Sequence, residues 1–235
     1  MSAVGTVFAP VRSQTAFEET MERLGTAIKL GLLEPGDRLP AERELCEQLG
    51  IARSTLRQAL TALVQSGHLV AVRGRGGGTF VADAPPVIER PTAEVLAGWR
   101  EACDVRMAVE LGVAVLAAER AVPEAIAPLE ELVQLMDGLM DDFAAYRQAD
   151  VRFHVGLAEA TGSTALVAAM TEAQAAMTDL IHYIAHPREV LAWSNAQHAR
   201  LVMCLERHDP AIAMAVMVEH LHGTEHVLAG LLPSP

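Results

Sequence analysis

The sequence has few of the features that mark secreted, membrane or metal-thiolate proteins. Its three cysteines, Cys46, Cys103 and Cys204, lie far apart and form no CxxC pair. This spacing excludes a disulfide framework and a thiolate zinc site, and it predicts buried thiols. Every apolar stretch is interrupted before the roughly 20 residues that a membrane helix requires. Residues 1–15 also lack the apolar core of a signal peptide. We therefore expect a soluble, cytoplasmic protein without a membrane segment.

Disorder is excluded by the length and the apolar content of the chain. The sequence has 235 residues, of which 51% are hydrophobic, and its mean hydropathy is +0.24. A chain of this size can bury a substantial core as one large domain or two modest ones.

The net charge of -12 argues against a nucleic-acid partner until it is divided along the chain. Residues 1–83 carry nine Lys/Arg and nine Asp/Glu, whereas residues 84–235 carry nine and twenty-one. The window 48–82 contains four arginines and no carboxylate. A local excess of positive charge of this kind is typical of a surface that meets a phosphate backbone.

The N-terminal third has the pattern of a small helical domain after a loose arm over residues 1–14. Apolar residues recur every three or four positions at Phe17, Met21 and Leu24, which predicts a helix from Thr15 that ends at Gly31. The segment 34–37 has Pro and Gly where a type II turn requires them. Two further helices are predicted over 41–49 and 53–66.

A glycine-rich hairpin follows these three helices. Residues 69–73 and 79–82 are predicted strands joined by Gly-Arg-Gly-Gly-Gly. Three helices followed by a hairpin form a winged helix-turn-helix, in which one helix enters the major groove and the wing reaches neighbouring phosphates. Each arginine taken singly is more typical of a solvated surface, but the combined order favours a DNA-binding domain over residues 15–83. The candidate contacts are Arg53, Arg57, Arg73 and Arg75.

The remainder of the chain is predicted to be helical after a proline-rich linker over residues 84–91. Proline and glycine recur at helix-like intervals, and Ser163 and Asp209 have the positions of N-caps. The fold class is therefore mainly α, with an antiparallel bundle in the domain over residues 92–235. Its six predicted helices are 92–121, 123–138, 141–161, 163–185, 187–208 and 210–231.

Four polar residues in the predicted bundle could bind a metal ion. Asp150 and His154 are four residues apart and share a helix face, while His198 and His220 lie in the middle of the last two helices. One carboxylate and three imidazoles can converge on a borderline cation such as Zn²⁺. The pattern alone leaves a second interpretation open, in which the Asp and His form a local hydrogen bond and the other histidines are satisfied in the core.

The N-terminal motifs resemble the GntR family of bacterial transcription factors. The similarity covers about residues 17–81 and includes Pro-Gly-Asp-Arg-Leu-Pro-Ala-Glu-Arg-Glu-Leu at 35–45, the segment 49–60 and the wing glycines. It implies a recognition helix in the third helix and a wing glycine against the minor groove. The DNA contacts that it implies are Arg43, Arg53, Ser54 and Arg57, with Gly74 or Gly76 in the wing.

The C-terminal motifs resemble the FadR-type ligand-binding (FCD) domain of the same family. The similarity covers about residues 100–230 and rests on Asp150 to His154, Ser194 to His198 and Glu219 to Leu221. It implies that Asp150, His154, His198 and His220 bind a divalent metal, most simply zinc, with nickel and manganese as alternatives. It also implies a small carboxylate effector beside the metal. Arg106 is the candidate clamp for that carboxylate, and a structural salt bridge with Glu110 is an equal alternative.

These inferences predict a transcription regulator and not an enzyme. We expect a repressor that binds a palindromic double-stranded operator as a homodimer, because a single small winged helix reads too few base pairs. Two alternatives remain open at this point. One is a metal-dependent hydrolase or lyase with an accessory DNA-binding domain, against which stands the absence of an HExxH motif and of an evident general base. The other is a regulator in which the metal is structural, or in which an acyl ligand fills a metal-free bundle.

Overall fold

The computed structural model of this protein describes most of the chain. The described residues are 16–29, 32–74, 76–83, 92–181 and 183–231. The predicted arm, the predicted linker and Arg75 lie outside them. Contacts divide the chain into two compact units, and the division is not linear along the sequence. The first unit comprises Met1–Pro91, Tyr183–Val190 and Gly223–Pro235, and the second comprises Thr92–His182 and Leu191–His222.

The first unit has the predicted winged helix-turn-helix order of three helices and a hairpin. Strands β1 and β2 pair antiparallel, with Leu69 opposite Val81 and Val72 opposite Gly78. Helix α3 packs against α1, α2 and β1. These elements are α1 (Ala16–Lys29), α2 (Glu42–Leu49), α3 (Arg53–Gln65), β1 (Leu69–Val72) and β2 (Gly78–Val81).

The second unit contains the predicted helical bundle, which confirms the mainly helical fold class. Within it α4 packs against α6 and α7, and α6 also packs against α5 and α7. Helices α8 and α9 each contribute residues to both units. The bundle helices are α4 (Ala93–Arg120), α5 (Pro123–Asp137), α6 (Phe143–Ala160), α7 (Thr164–Ile181), α8 (Arg188–Glu206) and α9 (Pro210–Leu231).

Apolar spacing explains the core of the first unit. Phe17, Met21 and Leu24, which define the predicted stripe of α1, are all buried. The turn before α2 has the predicted form, because Gly36 has a φ of 83° and the Asp37 amide donates to the Glu34 carbonyl at 2.9 Å. Only a residue that tolerates positive φ suits this position of a type II turn.

The core of the second unit surrounds α6. Phe153 and Leu157 are fully buried on this helix among residues of the other bundle helices. The predicted N-caps are present, since the side chain of Asp209 accepts from the Ile212 amide at 3.0 Å and that of Ser163 accepts from the Leu166 amide at 3.4 Å. These caps fix where α9 and α7 begin, and hence which residues of each helix face the core.

Two details differ from the sequence predictions. Helix α7 ends at Ile181, whereas the spacing of proline and glycine predicted a helix over residues 163–185. Ile184 is buried, but it lies outside a helix and belongs to the first unit. Of the three cysteines, all predicted to be buried, only Cys204 is buried, and Cys46 and Cys103 are half-buried. No helix of the described residues combines the length and apolar character that membrane spanning requires.

Candidate metal centre and DNA-binding surface

The start of α3 presents exposed polar side chains on the first unit. Arg53 is its first residue, Arg57 lies one turn later, and both are exposed together with Ser54. Arg43 on α2 and Arg73 after β1 are also exposed. The described members of the predicted DNA-contacting set are therefore all accessible to solvent.

Two of these arginines form ion pairs on the protein surface. Arg57 Nε lies 2.8 Å from Glu42 Oε2, and Arg43 Nη1 lies 2.9 Å from Glu47 Oε1. Exposed pairs of this kind contribute little to stability, with a median of about 0–1 kcal/mol. A phosphate or a guanine edge can therefore replace either carboxylate at small cost.

The wing turns through glycines that have left-handed backbone conformations. Gly74 and Gly76 have φ values of 101° and 87°, and the Gly77 amide donates to the Gly74 carbonyl at 2.9 Å. Non-glycine residues adopt such φ values only with strain. Their missing side chains let the backbone come close to another surface, as the sequence analysis expected of a wing.

Three histidines from three helices meet in the core of the second unit. His154 on α6, His198 on α8 and His220 on α9 are buried, and one ring nitrogen of each lies within 4.8 Å of the others. The ring centroids of His198 and His220 are 4.7 Å apart, and that of His154 is 5.2 Å from each. This arrangement could hold a metal ion.

Asp150 adds a carboxylate to the edge of this histidine cluster. Its Oδ1 lies 3.4 Å from His198 Nε2 and 3.9 Å from His154 Nε2. Its Oδ2 accepts a hydrogen bond from Arg147 Nη1. The structure thus brings together all four residues that the sequence analysis proposed as ligands.

Arg147 is a buried residue that the sequence analysis missed. Besides Asp150, its guanidinium donates to the carbonyl oxygen and to Oε1 of Gln174, at 2.9 and 2.8 Å, and to Thr178 Oγ1. One arginine therefore ties α6 to α7 and fixes the orientation of the Asp150 carboxylate. The spacing of three residues between Arg147 and Asp150 was the available signal, since such pairs share a helix face.

Glu110 on α4 is a buried carboxylate next to the histidine cluster. Its Oε1 accepts from Arg106 Nε at 2.6 Å and from Gln174 Nε2 at 2.7 Å. Its Oε2 lies 2.7 Å from His154 Nδ1. The salt bridge between Arg106 and Glu110, one of the two roles considered for Arg106, is present in the structure.

The histidines differ in their hydrogen-bond partners. His220 Nδ1 lies 3.1 Å from Gln197 Oε1, and its Nε2 lies 3.1 Å from Arg106 Nη2. Because Gln197 accepts and Arg106 donates, His220 carries its proton on Nδ1. By contrast, His154 Nε2 and both ring nitrogens of His198 have no hydrogen-bond partner within the described residues.

Burial and neighbouring charges set the protonation states in the cluster. Burial lowers the pKa of His198 to about 3 although the Asp150 charge opposes it, and burial also places the pKa of His220 well below its usual range. Burial raises the pKa of Glu110, but the charge of Arg106 and the contacts with His154 outweigh it and bring the value to about 2. At Asp150 burial also raises the pKa, but the charge of Arg147 together with those of His154, His198 and Arg106 outweighs it and lowers that pKa. Neutral imidazoles and ionised carboxylates are the forms that bind metals.

Comparison with known proteins identifies the family. The protein-family model for "bacterial regulatory proteins, gntR family" matches residues 17–81. The family model for the FCD domain matches residues 101–223. The HTH-type regulator RmpR of Mycobacterium gastri is 31% identical over 215 residues, which cover 86% of this chain and 76% of that protein. The chain belongs to the GntR family of bacterial transcription regulators.

Further comparisons agree with this GntR assignment. A regulatory protein of Escherichia coli named for an L-lactate dehydrogenase operon is 32% identical over 222 residues, with 87% of this chain and 83% of that protein covered. The HTH-type regulator LutR of Bacillus subtilis is 29% identical over 216 residues, which are 86% and 96% of the two chains. The solved structure of Escherichia coli McbR/YncC has the same fold, with a TM-score of 0.53, 22% identity and coverage of 93% and 98%.

The GntR assignment resolves one alternative of the sequence analysis. The chain is a transcription regulator of a family that binds DNA, and it is not an enzyme. The residues that the sequence did not reveal are Arg147, Gln174 and Gln197. They lie on three different helices, so their convergence depends on how the bundle packs.

Proposed function

We propose that this GntR regulator is a repressor whose operator binding is controlled by a small carboxylate effector at a divalent metal in the helical unit. We further propose that it binds a palindromic operator as a homodimer. The observation that carries the proposal is the buried histidine cluster, in which His154 Nε2 and His198 have no hydrogen-bond partner among the described residues. An unpaired buried polar atom costs about 1–3 kcal/mol, and a bound cation would remove that cost.

The proposed ligands suit zinc, with nickel and manganese as alternatives. Three imidazoles and one carboxylate form a borderline donor set that closes on a small divalent ion and can leave one position open. The proposed ligands are Asp150, His154, His198 and His220. When bound, the cation would supply a Lewis-acidic position for an oxygen of the effector.

Arg106 is the proposed clamp for the effector carboxylate. Its Nε is held by Glu110 and its Nη2 points to His220 Nε2, so the guanidinium is buried at the edge of the proposed metal site. A guanidinium presents five donors in a planar fork that matches a carboxylate. The relative named for an L-lactate dehydrogenase operon supports a small hydroxy acid as the effector class.

The proposed DNA-binding residues are those through which the regulator would contact its operator. They are Arg43, Arg53, Ser54 and Arg57, with the wing residues Arg73, Gly74, Arg75 and Gly76. The exposure of the described arginines supports this role. Effector binding changes operator affinity only if the effector binds more tightly to one of two conformations of the dimer.

The test combines metal content with DNA affinity. The metal-stripped protein is titrated with Zn²⁺ and then with L-lactate, and fluorescence anisotropy measures its affinity for a duplex that the protein itself selects from a random library. We expect Zn²⁺ to raise the melting temperature and L-lactate to shift DNA affinity only in the zinc-loaded protein. His198→Ala should lose both effects. His222→Ala, which changes an exposed histidine of the same helix as His220, should lose neither. Equal zinc retention in the two variants would reject the metal site.

A further inference from the structure

The wing of this protein is rich in glycine, although its proposed role requires a defined position. Residues 76–78 are consecutive glycines, and Gly74 precedes them. Gly77 is tightly placed, because a Cβ there would lie 2.3 Å from the Val72 carbonyl oxygen. Glycine loses more conformational freedom on ordering than any other residue, so the wing needs contacts from elsewhere to stay in place.

Arg38 supplies such contacts from the segment that precedes α2. Its Nη2 donates to the Gly77 carbonyl oxygen at 2.6 Å, across 39 positions of sequence. Its guanidinium carbon lies 5.9 Å from the centroid of the Phe80 ring. The backbone supports this contact, since the Leu39 amide donates to the Thr79 carbonyl at 2.9 Å. Arg38 therefore holds both the tip of the wing and the strand that leaves it.

The absence of a side chain at Gly78 leaves the space that the Arg38 side chain occupies. A Cβ at Gly78 would lie 2.8 Å from Arg38 Nε and 3.3 Å from Arg38 Nη2. Gly78 is not among the glycines with positive φ, so its own backbone conformation does not demand glycine. The close approach of the Arg38 side chain accounts for the glycine at this position.

We propose that Arg38 is a positioning residue for DNA binding, which fixes the glycine wing so that its backbone and Arg73 are presented to the duplex. The guanidinium binds the wing through a carbonyl oxygen and an aromatic face, and no ion pair with a carboxylate involves it in the described part of the chain. The proposal rests on the proposed role of the wing in DNA binding, and it adds a residue that the family motifs did not assign.

A double-mutant cycle tests this role. Arg38→Gln removes the clamp, and Gly78→Ala displaces it without changing the charge. We expect each variant to bind the selected duplex about tenfold more weakly, as loss of one charge-assisted hydrogen bond predicts. The double variant should bind no more weakly than either single variant, because both changes remove the same contact. In the protein without DNA, both variants should speed hydrogen exchange of the Gly77 amide while the melting temperature stays within error.

Arg100→Gln is the matched control, because Arg100 is an exposed arginine that lies over an aromatic ring, at 4.5 Å from the Trp99 centroid, in the other unit. It should change neither DNA affinity nor wing exchange. Additive losses in the double variant would overturn the positioning role and would indicate an independent phosphate contact of Arg38. Unchanged exchange of the Gly77 amide in Arg38→Gln would also overturn it. If the unmodified protein selects no duplex, the proposed function fails, while the exchange measurement still decides whether Arg38 orders the wing.

Discussion

Arg147 binds Oδ2 of Asp150 and thereby leaves Oδ1 of the same carboxylate 3.4 Å from Nε2 of His198. The arginine and the aspartate are both buried, and each is the charge partner of the other. The remaining donors of Arg147 are used by Gln174 and Thr178. A buried carboxylate held in this way presents one defined oxygen to the imidazoles, which is the arrangement a metal site requires of its ligands.

Replacing Arg147 should destabilise the helical unit strongly. Arg147→Met leaves the Asp150 charge buried without its partner, and such losses cost about 3–5 kcal/mol. Urea unfolding at neutral pH measures the change. Arg152→Met, an exposed position on the same helix, is the control and should cost less than about 0.5 kcal/mol. Equal effects of the two substitutions would contradict the buried pair.

Acid should begin to lower the free energy of unfolding of the metal-stripped protein at a pH well above the usual pKa range of carboxylates. The pKa of His198 is lowered to about 3, so below about pH 6.5 the unfolded chain takes up a proton that the folded chain does not. The contribution of His198 to stability is constant above that pH and falls towards pH 3, by at most about 1.4 kcal/mol per pH unit. Urea titrations at pH 7.5 and 5 measure how steeply the free energy of unfolding changes with pH. His198→Leu should reduce this slope, and His222→Leu should not. An unchanged slope in His198→Leu would refute the assignment.

The contact between His226 on α9 and Glu22 on α1 should have the opposite pH dependence. Burial lowers the pKa of His226, but its hydrogen bond with Glu22 and the charges of Glu22, Glu19 and Glu225 outweigh burial and raise it. The contribution of this contact to stability is therefore complete below about pH 6.5 and is lost as pH rises through the raised pKa. Thermal unfolding from pH 6 to 9 should show a smaller alkaline decline for His226→Gln than for the unmodified protein. Parallel curves would argue against the ion pair.

Helices α1 and α9 approach closely at a pair of glycines, Gly25 and Gly230. A Cβ on Gly25 would lie 2.4 Å from the Gly230 carbonyl oxygen, so Gly25→Ala should destabilise the protein by about 1–3 kcal/mol through overpacking. Gly112→Ala is the control, because a Cβ at that helical position meets no described atom within 4 Å apart from its chain neighbours and the adjacent backbone of its own helix. It should stabilise by about 0.5–1 kcal/mol through helix propensity. Denaturant unfolding gives the sign of the change in unfolding free energy for each variant. A stabilising effect of Gly25→Ala would contradict the close approach.

Releasing Arg57 from Glu42 should strengthen DNA binding. The pair is exposed, and its ion pair must break before Arg57 can reach DNA. Glu42→Gln should therefore raise affinity for the selected duplex about two- to fivefold, in line with the value of a surface ion pair. Glu44→Gln removes the same charge from the same helix without an arginine partner, since Glu44 accepts from Gln48. A matching gain in both variants would mean that general charge, not the release of Arg57, is responsible.

The sequence predicted most helices because burial and periodicity coincide in them. Met21 and Leu24 follow the stripe of α1 and are buried, and Asp209 begins α9 with a hydrogen bond to the Ile212 amide. The predicted end of α7 at residue 185 was wrong, since the helix ends at Ile181 and the buried Ile184 groups with the first unit. Local spacing identifies a face but not the neighbouring helix, so a residue such as Gln174 could not be assigned to the cluster.

The division of the chain into units bears on whether proteolysis can release an intact DNA-binding module. The end of α9 groups with the N-terminal residues and meets α1 at Gly25 and Glu22. Cleavage between residues 84 and 91 would therefore not release an intact DNA-binding module, because the fragment 1–91 would lack the segment that covers α1. A peptide of residues 223–235, supplied separately, is the missing piece that such a fragment would have to recruit.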